Sequence, residues 1–404
     1  MNEFQLSDCC SVITDGDHAA PPKSMEGIPF ITIRNFDGNN INFTNTMYVP
    51  EEYYDNLKSS RKAQKNDILY SVVGSFGIPI LIKDNQKFVF QRHIALLRPN
   101  LNKVVPSYLF HLMRSSSFYA LADVLAVGSA QRTISLSALR KVKITLPSLE
   151  IQAKIGEILS VYDELIELNQ RRIAILEEMA MRTYREWFVH FRFPGHEACE
   201  FENNIPKGWS RKSIGEIMSF DRGCSYTSEE IDVDVGVNLV NLKNMKSYGG
   251  YNYNGLKKYA GRYNESHVVN KGDLIMGVTD MTQDRRTVGS VALVPQYSEI
   301  SVISTDLVKV NSKIPNIFLY ATFRFGGYSK HLAEFANGSN VLHLKPSAIR
   351  KEIILLPTSD MVESFDSLIS PIVEEMEILT CQNDRLIEMR DRLLPQLMSG
   401  QLDI

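Results

Sequence analysis

Two glycine-serine loops carry side chains suited to contact a nucleic acid. The stretch GSAQRTISLSALRKVKITLPS at residues 128–148 returns as GSNVLHLKPSAIRKEIILLPT at residues 338–358. Hydroxyl, amide, guanidinium and imidazole groups can hydrogen-bond to base edges and phosphates. The alternative is that each glycine-serine pair only turns the chain before a strand. The candidate contact residues of the two loops are Ser129, Gln131 and Arg132, and Ser339, Asn340 and His343.

A polar insertion distinguishes the second copy of this repeat from the first. It lies between two strand patterns, where the first copy has only a short turn. Surface loops tolerate insertions and often carry binding residues. Arg92 and His93 in the stretch QRHIA are further candidates, although Arg92 can equally be an ordinary surface charge. The insertion contributes Thr282, Gln283, Arg285 and Arg286, and the short turn contributes Ser75 and Phe76.

No catalytic motif accompanies these residues in the sequence. HExxH, GxSxG, Walker and GxGxxG patterns are all missing. The double proline in APPK, residues 20–23, lacks the preceding Asn or Asp and the following aromatic residue of an adenine methyltransferase motif. His196 and Cys199 form an isolated HxxC, which we interpret as part of a linker. We therefore expect a chain that has no catalytic site, binds no metal and carries no cofactor of its own.

Charge alternates along the chain. Residues 1–148 carry 16 Lys/Arg against 12 Asp/Glu, and residues 191–357 carry 20 against 17. Residues 149–190 carry 5 against 8, and residues 358–404 carry 3 against 10. No signal-peptide pattern or long apolar run is present, and the 5 cysteines form no CxxC pair, so a cytoplasmic location is expected.

The two acidic segments have the pattern of long amphipathic helices. Apolar residues recur every three or four positions and form one stripe on each helix. Because a folded domain separates the two segments, we expect them to pack antiparallel as a coiled-coil-like pair. Asn169 and Asn383 interrupt the stripes at matching places and either fix the register of the pair or are solvated breaks. The stripes include Leu165 and Leu176 in the first helix and Leu379 and Leu386 in the second.

The two basic segments share one order of elements, which predicts a mixed α/β or α+β fold built twice. IPFITIRNF corresponds to VNLVNLKNM, and residues 65–82 correspond to residues 271–294 as strand, turn and strand. Residues 105–122 and 314–333 are predicted helices that follow a proline. Trp187, Phe188 and Trp209 are expected to pack where helix and domain meet.

Such a repeat suits a protein that reads DNA twice. Modestly basic, polar domains can meet phosphates and base edges, and acidic helices avoid the phosphates. A stiff connector fixes two half-sites in distance and phase, so that two short recognition events become one gapped site.

Short motifs in the same order resemble the specificity subunit of type I restriction–modification enzymes. They are WFVHFRFPG, IPKGWSRKSIGEI, ITLPSLEIQAKI and MRDRLLPQLMSGQL, and the resemblance extends over essentially the whole chain. It implies target-recognition domains at 1–148 and 210–357, a central helix at 149–190, a linker at 191–209 and a terminal helix at 358–404. The first domain lacks the Pro-x-x-Trp sequence that Pro206 and Trp209 supply to the second. That departure leaves open a different anchoring of its first strand.

The resemblance also implies partners. Each domain would read one half of a gapped double-stranded DNA target, and the helices would set the gap and dock the partner subunits. Two methylation subunits would bind S-adenosylmethionine and methylate adenine N6, and two restriction subunits would use ATP and Mg. This chain itself would not be an enzyme.

Two alternatives belong to other classes of protein. A scaffold with two interaction modules on a helical rod is compatible with the slight basic charge, and salt-sensitive DNA binding would distinguish it. A nuclease or methyltransferase acting alone is disfavoured by the missing motifs, and activity of the purified chain would reveal it.

Overall fold

The structure is a computed structural model that describes residues 2–18, 20–128, 132–231 and 234–402. It divides into two compact units. The first comprises Met1–Leu168 and Gln382–Ile404, and the second comprises Asn169–Cys381. Each unit therefore contains one globular domain and a part of both long helices. The boundaries of the target-recognition domains remain a prediction.

The two acidic segments form the long helices. The central helix spans Leu149–Tyr184 and begins directly after Pro147 and Ser148, since proline disfavours a continuing helix before it. A π-helical turn, Arg185–Val189, follows its end. The terminal helix spans Ser359–Ser399 and runs without interruption through Pro371 and Pro395.

Within each unit the two helix segments run antiparallel. In the first unit Asp163 of the central helix forms an ion pair with Arg390 of the terminal helix at 2.7 Å. Ile155 lies earlier in the central helix and shares a core with Leu397, which lies later in the terminal helix. The second unit repeats this arrangement, with Arg172 paired to Glu375 at 2.6 Å. The predicted fold class, a repeated mixed α/β domain with two long antiparallel helices, is confirmed.

The first domain consists of a four-stranded antiparallel sheet, a three-stranded mixed sheet, a two-stranded closing sheet and a small hairpin. Its helices are Glu51–Asp55, Pro106–Arg114, Ser116–Leu125 and Leu136–Arg140. In spatial order, the strands of the four-stranded sheet are Cys10–Asp15, Ile94–Pro99, Ile68–Ser71 and Pro79–Leu81. Those of the three-stranded sheet are Met47–Val49, Ile28–Ile31 and Val89–Phe90. The closing pair is Asn2–Gln5 with Lys143–Leu146, and the hairpin is Phe36–Asp37 with Asn40–Ile41.

The second domain repeats the four-stranded sheet, the mixed sheet and the closing pair of the first, which agrees with the sequence repeat. Its four-stranded sheet is Met218–Arg222, Leu307–Ser312, Leu274–Gly277 and Val291–Leu293. The mixed sheet gains a fourth strand and is Lys257–Tyr259, Val237–Val240, Ser301–Ile303 and Val268–Val269. The paired strands are Ser210–Ser213 with Ile353–Leu356, Thr279–Asp280 with Leu342–His343, and Phe201–Glu202 with Ile205–Pro206. The helices are Ile214–Ile217, Asn316–Phe325, Tyr328–Ala333 and Pro346–Ile349.

The first and last strands of each domain pair with each other. Asn2 lies opposite Leu146, and Ser210 lies opposite Leu356, both in antiparallel register. The first domain is therefore closed in the same way as the second. The missing Pro-x-x-Trp sequence does not change how its first strand is anchored, because the anchor is backbone pairing to the last strand.

An aromatic cluster packs the second domain against its helix segments. Phe188 and Trp209 lie 5.9 Å apart between ring centres, and Trp187 lies 5.8 Å from Phe365. Phe188 and Trp209 are 7% and 8% exposed. These contacts confirm the predicted packing role of Trp187, Phe188 and Trp209. Aromatic rings in such contact contribute about 0.5–1.5 kcal/mol per pair in addition to the free energy of burying them.

Candidate nucleic-acid interface

In the first unit, the turn at residues 72–78 lies beside the loop that begins at Gly128. Val73 and Val127 each form an antiparallel bridge with Thr133. The backbone N–H of Gly74 donates to the carbonyl of Arg132 at 2.9 Å. These backbone contacts place the exposed Ser75 close to Arg132, although the two residues are far apart in sequence. Ser129 and Gln131 lie outside the described residues.

The second unit builds the same arrangement from the equivalent segments. Thr279 pairs with His343, as Val73 does with Thr133. The Nε2 of Gln283 donates to the carbonyl of Ser339 at 2.9 Å and so joins the insertion to the glycine-serine loop. The structure thus brings together the predicted residues of this domain at one end of the sheet. Those exposed there are Thr282, Gln283, Arg285, Arg286, Ser339, Asn340 and His343.

A buried carboxylate lies at the base of the insertion. Asp280 is 2% exposed, and its Oδ1 accepts from the backbone N–H and the hydroxyl of Thr282, each at 2.8 Å. Its Oδ2 accepts from the backbone N–H of Thr287 at 2.7 Å. Burial raises the pKa of the Asp280 carboxyl, but the hydrogen bonds from Thr287 and Thr282 outweigh burial and hold the pKa below its usual value.

Two candidates in the first domain have partners within the protein. The Nε and Nη2 of Arg132 donate to Oδ1 of Asp123 at 3.1 and 2.5 Å, with both side chains about two-fifths exposed. An exposed pair of this kind contributes only about 0–1 kcal/mol, so a phosphate can replace Asp123 as the partner at small cost. Phe76 is 5% exposed and stacks on Tyr119 at 5.1 Å, so it belongs to the hydrophobic core here.

Arg92 and His93 directly precede the strand Ile94–Pro99, which pairs with the strand that leads into the turn at residues 72–78. The carbonyl of His93 accepts from the backbone N–H of Val72 at 2.9 Å, which places His93 next to residues 72–78. Arg92 is exposed, and its backbone N–H donates to the carbonyl of Asp17 at 3.0 Å. Arg92 also lines a shallow pocket of about 320 Å³ with His18.

A cleft beside the second loop contains basic residues that the sequence analysis did not select. It has a volume of about 680 Å³, and its lining includes Arg222, His343, Lys345 and Asn337. Its lining residues all lie in the described part of the chain, and none of them is acidic. A groove of one sign of charge attracts a polyanion. Lys345 lies within the repeated stretch itself, so the repeat was the signal that could have identified it.

Comparison with known proteins finds a matching family model and several relatives in sequence. Residues 1–178 match the family model described as the type I restriction modification DNA specificity domain. The chain is 28% identical over 317 residues to the MjaIX specificity subunit of Methanocaldococcus jannaschii, which covers 74% of this chain and 70% of that protein. It is 24% identical over 407 residues to the HindI specificity subunit of Haemophilus influenzae, covering 85% and 88%. The predicted resemblance to the specificity subunits of type I restriction–modification enzymes is confirmed.

A solved specificity subunit shows the same fold. The crystal structure of the type I S subunit from M. genitalium superposes with a TM-score of 0.63 at 15% sequence identity. The superposition covers 98% of this chain and 95% of that one.

The residues predicted to join the two long helices differ in burial. Asn169 and Asn383 are 7% and 6% exposed, so neither is a solvated break in its stripe. Leu379 is 1% exposed, whereas Leu165 is 42% exposed and lies outside the buried stripe. Leu176 and Leu386 are half-buried. A role of the two asparagines in the register of the helices stays a prediction.

The described residues contain neither a helix suited to span a membrane nor a cluster suited to hold a metal ion. Within residues 2–18, 20–128, 132–231 and 234–402, no helix combines the length and apolar character that a membrane span needs. The same described residues form no group of three or more His, Cys, Asp or Glu side chains that could hold a metal ion.

Proposed function

We propose that this chain is a type I specificity subunit that reads a gapped, two-part DNA target and directs partner subunits to it. The observation that carries the proposal is the arrangement of a strand turn bridged to a glycine-serine loop, which is built once in each unit. Each copy presents polar or basic side chains at one end of its sheet, namely Ser75 and Arg132 in the first and the residues around Arg285 in the second. Two such surfaces suit two half-sites of one duplex.

The chemistry of the exposed side chains favours direct reading of bases. Arginine can donate two hydrogen bonds to guanine, and glutamine or asparagine can bind adenine in the same two-point manner. Lys345 and Arg222 beside the second loop are placed to hold phosphates, which supply affinity without sequence information. The scaffold alternative is not favoured, because the matching family model is described as a DNA specificity domain and the relatives are named type I restriction enzyme specificity subunits.

The partner subunits carry the reactions in this proposal. Two methylation subunits bind S-adenosylmethionine and methylate adenine N6, and two restriction subunits cleave DNA with ATP and Mg. This chain is non-catalytic, holds no cofactor and works in the cytoplasm, where the partners meet DNA. The two long helices act as the spacer that sets the gap and as the docking site of the partners.

Long-read methylation mapping tests the proposal. The methylation subunit is expressed with and without this chain in a host that lacks adenine methylation. A gapped, two-part methylated motif that appears only with this chain is the expected result. The same complex is then titrated with a duplex that contains the motif, at several salt concentrations, because phosphate contacts make the affinity fall as salt rises. Co-purification of the two proteins without any methylated motif would contradict the proposal.

A further inference from the structure

We propose that Asp280 is a positioning residue that fixes the insertion at residues 281–287 in the shape that reads the second half of the target. The inference rests on the proposed function, since it assigns a role within the second reading surface. Asp280 itself is buried and cannot touch DNA. It acts through the exposed side chains that the insertion carries, above all Arg285 and Arg286.

The two carboxylate oxygens of Asp280 hold the two ends of the insertion. Oδ1 binds Thr282 at the start and Oδ2 binds the backbone N–H of Thr287 at the end. A weaker contact at 3.4 Å joins Oδ2 to the backbone N–H of Val288. Two donors at each end require an acceptor with two oxygens, which an ionised carboxylate supplies. The hydrogen bonds are charge-assisted and therefore stronger than neutral ones.

In the first domain a smaller side chain holds the equivalent turn, because that turn is shorter. The turn between the matching strands comprises residues 72–78 in the first domain and residues 278–290 in the second. In the first domain the hydroxyl of Ser71, which is fully buried, donates to the carbonyl of Ser75 and accepts from the backbone N–H of Ile78. One hydroxyl therefore holds the short turn, and one carboxylate holds the long one. A buried polar anchor at the base of the turn is common to both reading surfaces.

The insertion at residues 281–287 contains a backbone conformation that is unfavourable without contacts from the surrounding structure. Arg285 has φ 53°, in the left-handed region that non-glycine residues seldom adopt. A residue keeps such a conformation only where its surroundings impose it. On one side of Arg285 the Gln283 side chain binds Ser339, and on the other the carbonyl of Arg286 accepts from the backbone N–H of Tyr248 at 2.7 Å. Together with Asp280, these contacts define the direction in which Arg285 projects.

Replacement of Asp280 by asparagine removes this hold with a minimal change of size. An amide has one oxygen and one NH₂ group, so one end of the insertion faces a donor instead of an acceptor. If the reading conformation then falls to about 1–10% of the population, the apparent affinity falls about 10- to 100-fold. Asp284→Asn is the matched control, because it removes the same charge from the same loop. Asp284 is exposed, and among the described residues its carboxylate pairs with Arg286 alone.

The experiment uses the complex with its methylation subunit and the mapped target. Dissociation constants are measured for the target duplex, for one with the first half scrambled and for one with the second half scrambled. Hydrogen exchange of the full chain is followed for residues 281–288 and for the strand Leu274–Gly277. We expect Asp280→Asn to bind the target 10- to 100-fold more weakly and to lose discrimination of the second half alone. Amide exchange is expected to rise in residues 281–288 and to stay unchanged in the strand.

Three outcomes overturn the inference. The first is target affinity within twofold of wild type for Asp280→Asn, and the second is an equal loss for Asp284→Asn, which would reduce the effect to charge. The third is a loss of first-half discrimination to the same extent. If Asp280→Asn also opens the strand, Asp280→Ser replaces it, since a hydroxyl retains an acceptor as Ser71 does, and the same criteria apply. Failure of the wild-type complex to discriminate either half would instead refute the proposed function, so the two failures are distinguishable.

Discussion

Asp163 joins the first domain to both long helices, and its replacement by asparagine is expected to destabilise the first unit. One carboxylate oxygen binds Nη1 of Arg114 at 2.7 Å, and the other binds Nη1 of Arg390 at 2.7 Å. The side chains of Asp163, Arg114 and Arg390 are 11%, 18% and 10% exposed. Burial raises the pKa of Asp163, but the two guanidinium groups more than offset this and hold it below the usual value.

The expected loss follows from what remains after the substitution. Asp163→Asn leaves two largely buried guanidinium groups facing a neutral amide. Removing one partner of a buried ion pair costs about 3–5 kcal/mol, because the remaining charge is desolvated without compensation. Arg390 keeps its contact with Asp391, whose side chain is 56% exposed, so the lower end of the range applies. We expect a loss of about 3 kcal/mol in the free energy of opening of the first unit.

Native-state hydrogen exchange measures this loss without assuming that the whole chain unfolds in one step. A loss of about 3 kcal/mol corresponds to roughly hundredfold faster exchange. The effect is expected in Pro106–Arg114 and in residues 386–398. Arg172→Gln is the matched control, because it breaks an ion pair between the same two helices whose side chains are 51% and 38% exposed. An exposed pair contributes about 0–1 kcal/mol, so exchange in the second unit changes less than tenfold.

Exchange that rises less than tenfold in Asp163→Asn, or that rises as much in the control, would show that the ion pairs of Asp163 do not stabilise the first unit. A combined variant gives a further check. Replacing Arg114, Asp163 and Arg390 together by Met, Leu and Met removes the three largely buried charges of the network and leaves Asp391, whose side chain is 56% exposed. Because well-packed apolar residues can substitute for a buried ion pair without loss, the triple variant is expected to be more stable than Asp163→Asn alone.

Three further predictions concern pH and DNA reading. Burial lowers the pKa of His111 to about 4 despite the nearby Asp163, whereas an unfolded histidine titrates near 6.5. The folded form thus binds a proton less readily than the unfolded form. The contribution of His111 to the free energy of unfolding is therefore complete above about pH 6.5 and falls by about 3 kcal/mol as the pH drops to 4. Urea titrations of His111→Gln and wild type across this pH range test the prediction. Arg132→Ala and Arg285→Ala are each expected to weaken DNA binding of the assembled complex by about 1–3 kcal/mol and to relax one target position, and unchanged affinity and target in both would disprove these contacts. Exchange of residues 196–357 for the second domain of another specificity subunit is expected to change one half of the mapped motif, and a change in both halves would contradict modular reading.

The sequence predicted the order of elements well because the repeat supplied an internal comparison. Each of the matching stretches that were interpreted as strands contains a strand in both domains, for example Ile28–Ile31 and Val237–Val240. The start of the central helix followed from Pro147 and the apolar period. These features depend on residues that are close together in the sequence, so the sequence pattern predicts them.

What the sequence could not predict depends on contacts between distant residues. Phe76 was a candidate DNA contact in a short turn, yet it is 5% exposed and stacks on Tyr119, a packing contact that the sequence pattern does not reveal. Leu165 fits the apolar period of the central helix, but a period alone does not reveal which of two neighbouring stripes is buried. Asp280 gave no signal at all, because its importance lies in donors that only the folded loop brings to it.

The pairing of the first and last strands of each domain affects how a gene that encodes two such domains can exchange one of them. Because Ser210 pairs with Leu356, the polypeptide enters and leaves the second domain at backbone positions about 5 Å apart. The same holds for Asn2 and Leu146 in the first domain. Recombination with crossovers just outside such a pair transfers a complete sheet system and cuts none of its hydrogen-bonded ladders. A lineage can thereby acquire a new DNA target in a single genetic event, instead of through a series of point substitutions that each pass through a poorly reading intermediate.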